Sequence, residues 1–180
     1  MGESRTDSGT PTPVRRWVSL SVFAGVAGGT LALDLLTKFW VFDWLALRRG
    51  VAIMPGLNFH LVYNQGALFG MGQGMRPFFV GFALLAAVGI TWAAATMGRK
   101  SALLNVGLGL LLAGAVGNLY DRMFHPGVRD FIDMYAGEWH WYTYNVADVA
   151  ICAGAAAIVL HSILTPDPKD GEKPSQAGQD

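Results

Sequence analysis

Asp130 and Asp148 are the two carboxylates in this chain best placed to share one chemical task. Asp130 lies in Val128-Arg129-Asp130-Phe131, just after a long apolar segment, and Asp148 lies in Asn145-Val146-Ala147-Asp148, at the head of the next one. Two carboxylates in one site do not both ionise easily, so one keeps its proton while the other stays anionic. Such a pair activates water with one member and protonates an amide leaving group with the other. A second polar string, Gly117-Asn118-Leu119-Tyr120-Asp121-Arg122, ends the apolar segment before Asp130. A charged side chain at mid-membrane costs roughly 2.5–3.5 kcal/mol on insertion scales, so polar groups collected beside such segments mark a candidate site.

Plainer explanations exist for each residue. Asp133 is as well placed as Asp130, and spacing alone does not choose between them. Asn145 with Asp148 three residues on has the form of a capping box, and an acid in a first helical turn is favoured by the helix dipole. That role is compatible with chemistry, since a dipole-stabilised Asp148 is the natural member to remain ionised. Asp121-Arg122 reads as an interfacial ion pair closing a helix. Asn118 needs hydrogen-bond partners once buried, either on another helix or on a substrate backbone. Asp34 and Lys38 stand four apart on one helical face, as an intrahelical pair would, and Asn64-Gln65-Gly66 has the composition of a turn.

Other chemistries lack their residues. His60, His125, His140 and His161 show no metal-ligand spacing and there is no HExxH, so no metal site is expected. The serines lie in no nucleophile motif. Zero formal net charge gives no electrostatic case for a nucleic-acid partner. The lone Cys152 cannot form an intramolecular disulfide, and its place in an apolar run predicts a buried packing role.

The elements that must position these residues are helices. The chain is 52% hydrophobic and 14% charged, against about 25% charged in ordinary soluble domains. Uncharged runs at 17–33, 77–98, 101–120 and 149–166 approach the ~20 residues that a helix needs to span ~30 Å of hydrocarbon. The pattern predicts a single four-helix membrane domain over 14–165, with helices at about 14–40, 77–98, 101–122 and 145–164. Polar tails at 1–13 and 166–180 are expected to be mobile. An uncleaved first helix is expected rather than a removed signal segment, because the apolar run leads into Asp34 and Lys38. In that helix Gly25 and Gly29 have the small-xxx-small spacing that permits close helix contact. Between helices one and two, Val51–Met54 and the alternating Leu57, Phe59, Leu61 and Tyr63 predict two short strands around Pro55-Gly56, forming a small sheet on the membrane surface. Between helices three and four, Trp139, Trp141 and Tyr142 predict an aromatic loop in the headgroup layer.

An even number of spans puts both tails on one side and every polar motif on the other. Seven basic residues (Arg5, Arg15, Arg16, Arg99, Lys100, Lys169, Lys173) accompany the tails and six (Lys38, Arg48, Arg49, Arg76, Arg122, Arg129) the opposite side, which favours cytoplasmic tails. Nothing in the sequence demands more than a monomer. A proton- or ion-coupled carrier would also use intramembrane carboxylates. It would spread them over several depths or show an inverted repeat, and the sequence has neither feature.

Five strings together resemble one family, the lipoprotein signal peptidases or signal peptidase II, membrane aspartic proteases of bacteria. They are Asp34-Leu-Leu-Thr-Lys38, Tyr63-Asn64-Gln65-Gly66-Ala67-Leu68-Phe69, the Gly117–Arg122 string, Val128–Phe131 and Tyr144–Asp148, in the family's order over roughly 17–164. The resemblance implies that Asp130 and Asp148 are the catalytic pair, and so chooses Asp130 over Asp133. It places Asn64, Asn118, Asp121, Arg122 and Asn145 at the substrate site and Asp34 and Lys38 in a supporting or binding role. It further implies hydrolysis, with no cofactor, just before the diacylglyceryl-modified cysteine of prolipoproteins, contact with membrane lipids, and residence in the bacterial inner membrane. Both termini would be cytoplasmic, with the sheet, the aromatic loop and the site at the outer face.

Overall fold

A computed structural model describes residues 13–48, 50–66, 71–97 and 101–165. The tails expected at 1–13 and 166–180 lie outside these residues apart from Pro13, as do Arg49, the Arg99-Lys100 turn and Ala67, Leu68 and Phe69 of the second motif. The element order is α1 (Pro13–Leu45), β1 (Val51–Met54), β2 (Leu57–Asn64), α2 (Arg76–Thr96), α3 (Ala102–Phe124), β3 (Val128–Ala136), β4 (Trp139–His140) and α4 (Val146–Leu164).

Local chemistry sets the N-terminal boundaries of α2, α3 and α4. Pro77 sits in the first turn of α2, where its missing amide donor costs nothing. Ser101 caps α3 by accepting the Leu104 N–H. Asn145 and Asp148 form the full reciprocal capping box of α4. The first helix runs to Leu45, five residues past the expected end at Trp40, and buries Leu45 completely.

Among the described residues four segments are long and apolar enough to cross a membrane: Ser19–Leu45, Arg76–Thr96, Ala102–Phe124 and Val146–Leu164. Large side chains such as Trp40, Leu85, Trp92 and Ile163 are exposed around the bundle, as a lipid solvent permits. The third helix is central and packs against the other three.

Its glycines let it do so. A side chain at Gly107 or Gly114 would collide with α4, and one at Gly109 would collide with the Phe23 carbonyl and Val26 of α1. Gly25 and Gly29, the pair singled out in the sequence, face open space; the close approach is made from α3 instead.

The sheet is antiparallel with order β1-β2-β3-β4, not the expected two strands with an aromatic loop apart from them. Gly56 turns β1 into β2 with φ +86°, a conformation that side chains rarely adopt. Strand β3 joins β2 with Asn64 opposite Val128 and Val62 opposite Asp130, after a register shift between Phe59 and Val62. Strand β3 was illegible as a strand because Arg129, Asp130 and Asp133 are all buried, so the usual alternation of polar and apolar residues is missing.

Candidate active site

The C-terminal ends of α1 and α3 and the N-terminal end of α4 meet at one end of the bundle, beside β3. Asp34 and Lys38, one helical turn apart on α1, are completely buried and paired at 2.8 Å. Lys38 Nζ also lies 3.0 Å from Asp121 Oδ2 and donates to Asn118 Oδ1 at 3.1 Å, so its three donors are all used. Asp34 Oδ1 accepts the Ala147 N–H at 2.8 Å, which ties α1 to the first turn of α4.

Asp121 does not pair with its neighbour Arg122. Its Oδ1 accepts from Arg129 Nε at 2.8 Å and lies 2.7 Å from Arg129 Nη2, while its Oδ2 accepts the Arg129 backbone N–H at 3.1 Å. Consecutive helical residues do not face each other, and that rule was the available signal against an Asp121–Arg122 pair. Arg129 is the supporting residue that sequence reasoning missed. Two buried acids, Asp34 and Asp121, thus balance two buried cations, Lys38 and Arg129, as desolvated charges require.

This base orients two amides. Asn118 Oδ1 faces Lys38, so its Nδ2 is turned toward Asp148 Oδ1 and donates there at 2.9 Å. Asn145 Nδ2 donates to Asp130 Oδ1 at 2.6 Å and to Asn118 Oδ1 at 3.3 Å. The Asn145 backbone N–H donates to Asp148 Oδ2 at 3.1 Å. One residue therefore touches both carboxylates. Burial, then the nearby charge of Asp148, pushes the Asp130 carboxyl up to about 7, against the opposing hydrogen bonds from Asn145 and Asn64.

Asp130 and Asp148 open onto a cavity of about 700 Å³, together with Asn64, Asn118 and Arg122. Arg122 donates to the Gly66 carbonyl at 2.9 Å and to the Asn118 carbonyl at 3.3 Å, with its guanidinium 5.2 Å from the Phe79 ring centroid. Trp139, Trp141 and Tyr142 form an apolar wall. Cys152, expected to be buried, is exposed and lines this cavity. Of the residues assigned to the substrate site, Asp121 and Asn145 are completely buried, whereas Asn64, Asn118 and Arg122 reach the cavity. Asp133 points to the opposite face of β3. Among the described residues no three His, Cys, Asp or Glu side chains are grouped to hold a metal ion.

Four membrane-length helices around a buried polar network fit a membrane protein, and comparison with known proteins shows what kind. The family model for signal peptidase (SPase) II matches residues 26–164. The lipoprotein signal peptidase of Yersinia pestis (strain Pestoides F) is 36% identical over 159 residues, covering 86% of this chain and 90% of that protein. That of Yersinia pseudotuberculosis serotype O:3 (strain YPIII) gives the same figures. Two solved structures of bacterial membrane enzymes share the fold. One has a TM-score of 0.71 at 22% identity, covering 84% of this chain and 93% of the other; the second has 0.69 at 24%, covering 81% and 94%. The chain belongs to the signal peptidase II family and is an aspartic peptidase.

Proposed function

We propose that this protein cleaves the signal peptide from diacylglyceryl-modified prolipoproteins, hydrolysing the peptide bond just before the lipidated cysteine with water activated between Asp130 and Asp148. The observation that carries this reading is the double contact of Asn145, which donates to Asp130 through its side chain and to Asp148 through its backbone. It holds the two acids at one cavity in unlike environments. Asp130, pushed up to about 7, is the member that keeps a proton near neutrality. Asp148 accepts two N–H donors, surroundings suited to a carboxylate that takes a proton from water. Proton transfer to the departing amine by the partner acid completes the hydrolysis without a covalent intermediate or a cofactor.

Asn64, Asn118 and Arg122 are proposed to meet the substrate, since they reach the cavity. Asp34, Lys38 and Asp121, with Arg129, hold the amides from beneath, and Asn145 positions the acids. The apolar wall suits a diacylglyceryl chain and adjoining membrane lipid. The sheet and the cavity would face the outer side of the bacterial inner membrane, with both termini in the cytoplasm and a monomer as the working unit.

Incubation of the purified protein with a diacylglyceryl-modified prolipoprotein and with its unmodified precursor tests this directly. Mass spectrometry is expected to find a product beginning at the modified cysteine from the first substrate only. Equal cleavage of both, or of neither, would overturn the substrate assignment.

A further inference from the structure

Asp133 lies three residues beyond Asp130 on the same strand, but on its other face, and the reaction described above makes no use of it. It is buried, yet three side chains from two other strands converge on it. His140 of β4 donates through Nδ1 to its carboxylate, at 2.9 Å from Oδ1 and 3.0 Å from Oδ2. Asn58 Nδ2 of β2 donates to Oδ2 at 3.2 Å, and His60 Nδ1 of the same strand lies 3.7 Å from it. The Thr143 hydroxyl meets His60 Nε2 at 3.4 Å, and the Tyr135 ring stacks on His140 at 5.3 Å. Burial alone would raise the Asp133 carboxyl, but the His140 and Asn58 hydrogen bonds, then the charges of His140 and His60, hold it below the usual carboxylate range.

Strand β4 is only two residues long, and it presents Trp139 to the cavity; Trp141 follows immediately. Tyr135 pairs with His140 and Ala136 with Trp139, and the Trp141 N–H donates to the Met134 carbonyl at 2.7 Å. So short a ladder offers few backbone bonds. Its one residue aimed away from the cavity, His140, is anchored on a buried carboxylate.

We propose that Asp133 is a positioning residue for substrate binding: through His140 it fixes the β4 hairpin, so that Trp139 and Trp141 stand as the apolar wall beside Asp130 and Asp148. This rests on the peptidase reading. It predicts that Asp133 controls capture of the lipidated peptide and leaves the chemical step alone.

The test is a double-mutant cycle of Asp133→Ala and His140→Ala, with His140→Asn, whose side-chain amide can place an N–H donor near the position of Nδ1. Because the His140 side chain is 51% exposed, a moderate effect is expected. Each alanine variant should raise KM for a diacylglyceryl-modified prolipoprotein about fivefold, with kcat within about twofold. The double variant should be no worse than either single one, and His140→Asn should restore KM. Hydrogen–deuterium exchange of residues 134–143 should quicken in His140→Ala. That readout needs no substrate, so a wild type that fails to cleave overturns the peptidase reading separately from the pairing. Unchanged exchange and KM in His140→Ala, additive effects in the double variant, or a loss of kcat at constant KM would each overturn the positioning role.

Discussion

Lys38 Nζ lies 3.1 Å from Asn118 Oδ1, and this contact, with Asn145 Nδ2 at 3.3 Å from the same oxygen, decides which end of the Asn118 amide faces Asp148. A cation has no acceptor to offer an amide NH2 group, so the oxygen must face the ammonium and the NH2 must face the carboxylate. The completely buried base of the site thereby reaches Asp148 through one amide, Asn118, and Asp130 through a second, Asn145.

Replacing Lys38 with Met should therefore be costly twice. It leaves Asp34 without its ion-pair partner and removes one of the cations facing Asp121, and breaking a buried network in this way costs about 3–5 kcal/mol. Thermal unfolding in detergent should show the loss, and any folded fraction should cleave poorly because the Asn118 amide is then held at its oxygen by Asn145 Nδ2 alone.

The raised Asp130 carboxyl makes activity and stability depend on pH in stated directions. Its ordinary value is 3.8 and its folded value about 7, so between these limits the folded state holds a proton that the unfolded state has lost. Stability should fall as pH rises from about 4 through 7, and Asp130→Asn should flatten that slope. With Asp130 as the proton donor, kcat/KM should decline above about pH 7, as the upper titration of the pair. Activity that rises through pH 8 would contradict the assignment of the acid.

Gly117 is required by the carboxylate beside it. A methyl group there would strike Asp34 Oδ2 and press on its carboxyl carbon, at the junction through which α1 holds the start of α4. Gly117→Ala should destabilise by about 1–3 kcal/mol, the usual cost of overpacking, and lower kcat by shifting Asp148. Gly25→Ala, which faces open space, is the control and should be silent in both measurements.

Cys152 offers a chemical probe of the cavity, because its thiol lines the same space as the two acids. Modification with a bulky apolar thiol reagent should slow cleavage several-fold in the wild type and have no effect on Cys152→Ala. Full activity after stoichiometric labelling would place the substrate elsewhere.

The helices and the site strings were legible because each depends on local pattern: apolar length for the spans, a capping box for Asn145 and Asp148, four-residue spacing for Asp34 and Lys38. What was not legible depends on contacts between elements rather than on the pattern within one. Strand β3 hides its alternation because its buried charges find partners on other elements: Arg129 pairs with Asp121 of α3, and Asp133 accepts hydrogen bonds from His140 of β4 and Asn58 of β2. Cys152 read as a core residue because an apolar run does not reveal which of its faces lines a cavity. The Gly25 and Gly29 spacing was real, but helix contact needs an opposing surface, and α3 supplies its own glycines for that purpose.

The most direct test of the central claim is cleavage of a diacylglyceryl-modified prolipoprotein by wild type, Asp130→Asn, Asp148→Asn and Asp133→Asn, each checked for folding. The account predicts that the first two substitutions abolish cleavage in folded protein, while Asp133→Asn retains kcat. Full activity in either Asp130→Asn or Asp148→Asn, or loss of kcat in folded Asp133→Asn to the level of the other two, would contradict it.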